Sequence, residues 1–224
     1  MLFRSLWGTA ASVALAVEAG ADLVRVHDVA SIVDVARIAD AAVRGWPPRE
    51  RRIWLALGGN IGDRLRRLRG ALDALQAGGV AIDLLSSVYE TPPWGIEEQP
   101  RFANAAVAGR TSLTARALLA LCKRIEAEAG RDFGAPRNSA RPIDLDILAI
   151  EGETVAEADL VVPHAALHER AFVLLPLVDV APGWRHPALR HTATELLAAL
   201  PRDARAGIEL LAEPGWWSPS TATP

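Results

Sequence analysis

Between Ile143 and Ile147 the chain alternates strictly, apolar then acidic. Strand side chains point to opposite faces with period two. The segment therefore predicts a strand with Ile143, Leu145 and Ile147 in a core and Asp144 and Asp146 together on the other face. Three more strands follow from similar runs: Ile53–Leu57, Val80–Glu90 (with Ile82, Leu84, Val88 and Tyr89 inward) and Arg101–Ala108. A 3.6-residue period marks helices. One starts after Asp63 with Leu65, Leu68, Leu72 and Leu75 on a stripe. A second follows Thr114 and puts Leu118, Leu121, Cys122, Ile125 and Ala129 on its apolar face. Val173–Val178 is apolar throughout and reads as a buried helix or irregular segment. Thr194–Leu200 reads as a short amphipathic helix. The tail after Pro214 is expected to be disordered.

Residues 1–45 read helix, strand, helix, with the strand at Asp22–Asp28 and the second helix at Val29–Val43. One strand between two helices cannot bury both its faces, so this piece lacks neighbours. Arg4 before the apolar run Leu6–Val17 imitates a signal peptide, but an amphipathic helix is the preferred reading. Arg44–Arg52, with Pro47-Pro48, reads as a linker. The expected domains are 1–45, a linker at 46–52, a main domain at 53–202 and a partly disordered tail at 203–224.

The chain has 224 residues and a net charge of −3. That balance argues against non-specific nucleic-acid binding. No stretch reaches the 18 uninterrupted apolar residues of a membrane span. A single cysteine, Cys122, permits neither an intrachain disulfide nor a thiolate metal cluster, which fits a cytoplasmic location.

Two carboxylates about 7 Å apart on one strand face repel unless a cation lies between them. Hard oxygen ligands suit Mg²⁺, which shares its sites with phosphates and water. Arg131, Arg137 and Arg141, just upstream, carry the planar donor fork that suits phosphate oxygens. Taken alone, the segment also reads as a half-exposed strand with a solvated acidic face. Gly58–Asp63 is a glycine-rich turn into a helix. It reads either as a phosphate cradle or as a plain helix entry with Asp63 complementing the dipole. His164 and His168 have an H-x₃-H spacing but no third zinc ligand at recognisable spacing. Thr91–Pro100, with its prolines around Trp94, reads as an active-site lid or as a surface loop with Trp94 in a core edge.

Two resemblances sharpen this picture. GTAASVALAVEAGADLVRVHDV resembles the last helix–strand–helix of dihydropteroate synthase, a (β/α)₈ barrel, with Arg25 and His27 at that family's anion-binding positions. The other strands of such a barrel are absent, so no such site is expected to form within one chain. From Ile53 to Leu200 the motifs LALGGNIGD, SSVYETPPWG, F-x-N, IEAEAGR, RPIDLDIL and VPHAALHERAFVLLPL resemble 6-hydroxymethyl-7,8-dihydropterin pyrophosphokinase. That resemblance implies an α+β, ferredoxin-like sandwich with a central antiparallel sheet, helices on its outer side and an N-terminal helix–strand–helix appendage. It implies transfer of the pyrophosphoryl group of ATP to the hydroxymethyl oxygen, releasing AMP.

It also implies site residues. Asp144 and Asp146 would hold two Mg²⁺ ions. ATP would meet Glu126, Arg131, Arg137, Arg141, His164 and Arg170. The pterin would meet Thr91, Pro93, Trp94, Phe102, Asn104 and Phe172. Arg131, Arg141, Asp144 and Asp146 would carry catalysis. Dihydropteroate synthase is the candidate protein partner. The chain departs from the family pattern at Gly59, often serine. It departs again at Phe133 and at Asn138–Ala140, where an arginine, a tryptophan, a glycine and a proline are common, and near Asp159, where an arginine is often found. Two rival readings remain: a non-catalytic pterin- and ATP-binding protein, and an adaptor for a split dihydropteroate synthase.

Overall fold

The computed structural model describes residues 6–21, 24–44, 50–136 and 138–218. Contacts divide the chain after Arg49 into two compact units. The first holds helices α1 (Leu6–Glu18) and α2 (Val29–Arg44), which pack on each other and bury Val13, Val17 and Ile32. Of the strand expected at Asp22–Asp28, residues 22–23 lie outside the described residues, and residues 24–28 are irregular. A strand needs a hydrogen-bonding neighbour, and none is present among the described residues of this unit.

The second unit runs β1 (Arg51–Gly59), α3 (Arg64–Ala77), β2 (Val80–Leu85), β3 (Val88–Thr91), β4 (Phe102–Thr111), α4 (Ala115–Glu128), β5 (Asp144–Ile150), β6 (Val155–Ala156), β7 (Val161–Val162), α5 (Ala171–Val180), α6 (Ala193–Ala199) and β8 (Glu209–Ala212). Asp63 caps α3 by accepting from Arg66 N at 3.0 Å, and Thr114 caps α4 by accepting from Ala117 N at 3.2 Å. These side chains satisfy N–H groups that a helix start leaves unpaired. The main sheet has the order β5-β1-β4-β3-β8, every pair antiparallel, and β2 pairs the far end of β4.

The run Val80–Glu90 is two strands, not one. A register shift between Ile82 and Leu84 and the break at Ser86-Ser87 interrupt it. A bulge offsets the alternation of side chains, and Leu84, expected inward, is 56% exposed. β1 also starts inside the expected linker: Arg51 and Arg52 pair with Thr111 and Arg110.

Helices cover both faces of the sheet rather than one. α3 and α4 pack with Ile53, Leu55, Leu57, Leu145 and Ile147 on the first face. α5 and α6 pack with Trp54, Ala106, Leu148 and Ala149 on the second. This explains why β1 is buried almost throughout and does not alternate. Nor are residues 202–218 a loose tail; the rest of the expected tail, 219–224, lies outside the described residues. β8 pairs β3, and the buried Trp216 donates from its indole to Ser86 O at 2.8 Å. Trp217 donates to Asp73 at 2.9 Å. Two indoles add large apolar area that has to be placed, and each finds a polar acceptor. No helix among the described residues is long and apolar enough to cross a membrane.

Candidate active site

Cross-strand register builds the floor of a cleft. Gly58 on β1 stands opposite Asp144 on β5 and opposite Asn104 on β4. One row of the sheet thus runs carboxylate, no side chain, amide. The next row on the same face runs Asp146, Ala56, Ala106. Small residues on β1 between polar residues on its neighbours leave a depression. The approach is tight: a Cβ on Gly58 would stand 2.6 Å from Asn104 Oδ1.

Over this floor lie two adjoining cavities. The more apolar one is walled by Thr91, Pro92, Trp94, Phe102, Phe172 and Val173, with Asn104 in its base. Asn104 Nδ2 donates to Thr91 Oγ1 at 2.8 Å, and both residues are buried. That bond fixes which face of the amide is presented. The second cavity is polar and is walled by Lys123, Arg131, Phe133, His164 and Arg170 among others. Asn138, Arg141, Asp144, Asp146 and Arg170 line both. The two aspartates therefore stand on the border.

Their charges are not balanced alike. Asp144 accepts from Arg131 and, at 2.8 Å, from Arg141 Nη2. Asp146 makes no ion pair among the described residues. Burial, and then the Asp144 carboxylate, push its pKa up. A cation at this edge would relieve both effects. Asp144 and Asp146 do not stand in a cluster of three or more potential ligands among the described residues. A pair of carboxylates facing a phosphate-sized polar cavity fits Mg²⁺, which completes its shell with water and phosphate oxygens. Anion-binding capacity is present too. Arg141 Nε and Arg170 Nε are buried without a hydrogen-bond partner, and buried donors normally find an acceptor. Burial lowers the pKa of His164. Its Nδ1 accepts from Ala166 N at 3.2 Å, so the ring proton sits on Nε2.

The family described as 7,8-dihydro-6-hydroxymethylpterin-pyrophosphokinase (HPPK) matches residues 54–182, the stretch that carries this floor and both walls. The chain belongs to that family. Its second unit is similar to the 2-amino-4-hydroxy-6-hydroxymethyldihydropteridine pyrophosphokinase of Methylorubrum extorquens, with 48% identity over 132 residues, 58% of this chain and 83% of the relative. It is 44% identical over 131 residues to a mitochondrial folate synthesis bifunctional protein of Arabidopsis thaliana, covering 58% of this chain but only 24% of that protein. A crystal structure of wild-type Plasmodium falciparum HPPK-DHPS with pteroate shares the fold at a TM-score of 0.55 and 18% identity, over 67% of this chain and 42% of the other.

In this pyrophosphokinase, most of the residues expected at the site converge. Asp144, Asp146, Arg131, Arg141, His164, Arg170, Thr91, Trp94, Phe102, Asn104 and Phe172 all line one cavity or both. Arg137 lies outside the described residues. Pro93 is not on either wall; its neighbour Pro92 is. Trp94 is 54% exposed and is not tucked into a core edge: the Arg170 guanidinium lies 4.8 Å from its ring centre. Glu126, expected against the nucleotide, is fully buried behind the wall. Its carboxylate accepts from Leu145 N at 2.7 Å and pairs with Lys123 and Arg131. A buried carboxylate must be satisfied in place, and here it holds β5. Of the glycine-rich turn, Gly58 lies in the floor of the apolar cavity, and Asn60 is held by protein: its N donates to Arg141 O at 3.0 Å, and its Oδ1 accepts from Arg141 N at 2.8 Å. His168 is not on either wall.

Sequence reasoning missed Asn138 and Lys123. Asn138 has φ +66, and asparagine is among the few residues that tolerate that region. Its position in an arginine loop was the available signal. Lys123, the sole lysine in a chain rich in arginine, sits one helical turn before Glu126 and lines the polar cavity.

Proposed function

We propose that the polar cavity takes the triphosphate of ATP and the apolar cavity takes the dihydropterin, so that the reacting groups meet beside Asp144 and Asp146. Membership of the family makes the protein a diphosphotransferase of folate biosynthesis. It moves the pyrophosphoryl group of ATP to the hydroxymethyl oxygen of 6-hydroxymethyl-7,8-dihydropterin and releases AMP. The observation that carries the site assignment is the border: the same two carboxylates line both cavities.

Phe102 and Phe172 offer ring faces to the pterin, and Asn104 offers a fixed amide to its polar edge. The buried, unpartnered Nε groups of Arg141 and Arg170 offer donors to phosphate oxygens. Asp144 and Asp146 would hold two Mg²⁺ ions, which supply charge neutralisation on the triphosphate. No histidine or lysine lines the apolar cavity among the described residues. Positioning and electrostatics, rather than a dedicated base, are the chain's contribution. The sheet order and the α3/α4 layer support a ferredoxin-like core, with the N-terminal unit as an appendage. A reducing compartment such as the cytoplasm suits the buried Cys122.

The test is incubation with ATP, Mg²⁺ and 6-hydroxymethyl-7,8-dihydropterin while following nucleotides. AMP in step with pterin diphosphate is expected. ADP, or no turnover, overturns the assignment, and so does full activity in Asp144→Ala.

A second reading concerns residues 1–45. A solved relative is named HPPK-DHPS, and together with the resemblance of residues 1–45 this supports dihydropteroate synthase as a partner of this helix pair. Co-purification with a synthase lacking its last helices is expected; a free synthase and a free pyrophosphokinase would sink that idea.

A further inference from the structure

Loop 92–100, which carries Pro92 and Trp94 to the wall of the apolar cavity, is bracketed by two charged residues that line neither cavity. Glu90 immediately precedes Thr91, and Arg101 immediately precedes Phe102. Arg101 Nε donates to Glu90 Oε2 at 3.0 Å, and its Nη2 donates to Glu90 O at 3.4 Å. Arg64, at the start of α3, closes the group: its Nη1 lies 2.6 Å from Glu90 Oε1 and donates to Arg101 O at 2.9 Å. The base of the loop is thus held from both ends and from a helix.

Arg101 also reaches beyond the loop. It donates to Gly207 O, and its Nη2 lies 3.5 Å from Glu209 Oε1. Gly207 has φ +69, and a Cβ on it would stand 3.0 Å from Pro92 Cγ. Glu209 pairs with Glu90 in the β3–β8 ladder. Two acids directly opposite each other repel, and Arg101 lies against both. Gly207 and β8 lie beyond residue 182, where the family match ends, yet Gly207 stands close to Pro92 on the wall of the apolar cavity, and β8 pairs the strand that leads to Thr91.

We propose that Arg101 is a positioning residue for the heterocyclic substrate. By tying Glu90 to the C-terminal segment it closes the base of loop 92–100 and sets where Thr91 and Pro92 stand against the ring. The inference rests on reading the apolar cavity as the pterin slot. It adds that the C-terminal segment, outside the matched region, tunes that slot through one guanidinium.

The experiment measures equilibrium binding of fluorescent 6-hydroxymethylpterin in the presence of α,β-methylene-ATP, alongside steady-state kinetics. The proteins are the full-length chain, Arg101→Ala, Arg101→Lys, Glu90→Ala, the Arg101→Ala/Glu90→Ala double variant, Glu209→Gln and Phe102→Ala. In Arg101→Ala the pterin Kd and KM rise about fivefold, while KM for ATP and saturated kcat stay within about twofold, the scale of a half-buried charged contact. Arg101→Lys recovers part of the loss. The double variant is no weaker than the poorer single, because both substitutions open one clamp. An unchanged pterin Kd in Arg101→Ala, with Phe102→Ala weakened, overturns the clamp and leaves the slot standing. An unchanged Kd in Phe102→Ala as well overturns the slot and the inference with it. Equal rises in both KM values, or a fall in kcat, indicate general loosening and also overturn it. Should Arg101→Ala fail to fold, wild-type pterin binding in both Glu209→Gln and Arg101→Lys is the overturning result.

Discussion

The carboxylate of Glu126 accepts the backbone N–H of Leu145 at 2.7 Å, midway between Asp144 and Asp146. An acid in the last turn of α4 opposes the helix dipole, and this bond accounts for its presence. The same carboxylate receives Lys123 at 2.9 Å and Arg131 at 2.8 Å, so one buried group sets the position of the strand and of two cationic side chains on the polar wall.

Glu126→Ala leaves the Leu145 N–H and two cations without their partner. It is expected to lower stability by about 2–3 kcal/mol, less than a fully buried pair because both cations are partly exposed. Turnover falls with it, since β5 carries both aspartates. Glu126→Gln keeps an acceptor for Leu145 and loses about 1 kcal/mol. Urea unfolding of the three proteins orders them; equal midpoints for Glu126→Ala and wild type would refute the role.

Asp146 carries an opposite conflict. Burial first, and Asp144 second, raise its pKa above the unfolded value. For a carboxylate raised on folding, the unfolded chain ionises more readily, so native stability falls as pH rises from the unfolded toward the folded pKa. Above both, the full cost is present. Asp146→Asn removes that cost. It is expected to abolish turnover yet melt higher than wild type at pH 7 without Mg²⁺, with the gap closing as pH falls toward the ordinary carboxylate range. Added Mg²⁺ with ATP raises the melting point of wild type and not of the variant. A variant that melts lower than wild type throughout would contradict this.

Cys122 is fully buried on α4, and burial, followed by the nearby Glu126 charge, pushes its thiol up to about 12. Thiolate is the reactive form, so the native protein is inert to a disulfide reagent such as Ellman's at pH 8. One thiol per chain appears only on unfolding, in step with the urea transition. Rapid labelling of the native protein would show that α4 opens locally.

Period and register explain what could be read in advance. Strict alternation at Ile143–Ile147 placed both aspartates on one face because β5 has a core on one side and a cleft on the other. The same rule failed at Leu84, since a bulge is a property of pairing with β4 and not of β2 alone. On the second face α6 was legible at Thr194–Leu200, but α5 was left open between helix and irregular segment because Val173–Leu177 is apolar all round and shows no period. Glu126 was expected against ATP from the resemblance alone, and a matched motif reports residue type but not depth: the side chain is fully buried. Gly207 is far in sequence from Arg101 and Glu90, and nothing local signals that it meets them. In the expected strand Asp22–Asp28 the described residues 24–28 are irregular, because β pattern is not enough without a partner.

Gly58 offers the sharpest test of the floor. It stands in one row between Asp144 and Asn104, and a Cβ there would meet Asn104 Oδ1 at 2.6 Å. The amide cannot retreat freely, because its Nδ2 is bonded to the buried Thr91 hydroxyl at 2.8 Å. Gly58→Ala therefore displaces the group assigned to the pterin edge while leaving the polar cavity's arginines in place. KM for the dihydropterin is expected to rise about tenfold, the scale of one misplaced hydrogen bond to a ligand, with KM for ATP nearly unchanged. Thr91→Val in the Gly58→Ala background frees the amide to move and adds little further loss, since the two substitutions disturb the same contact. A Gly58→Ala enzyme with wild-type affinity for the pterin would show that Asn104 does not read it.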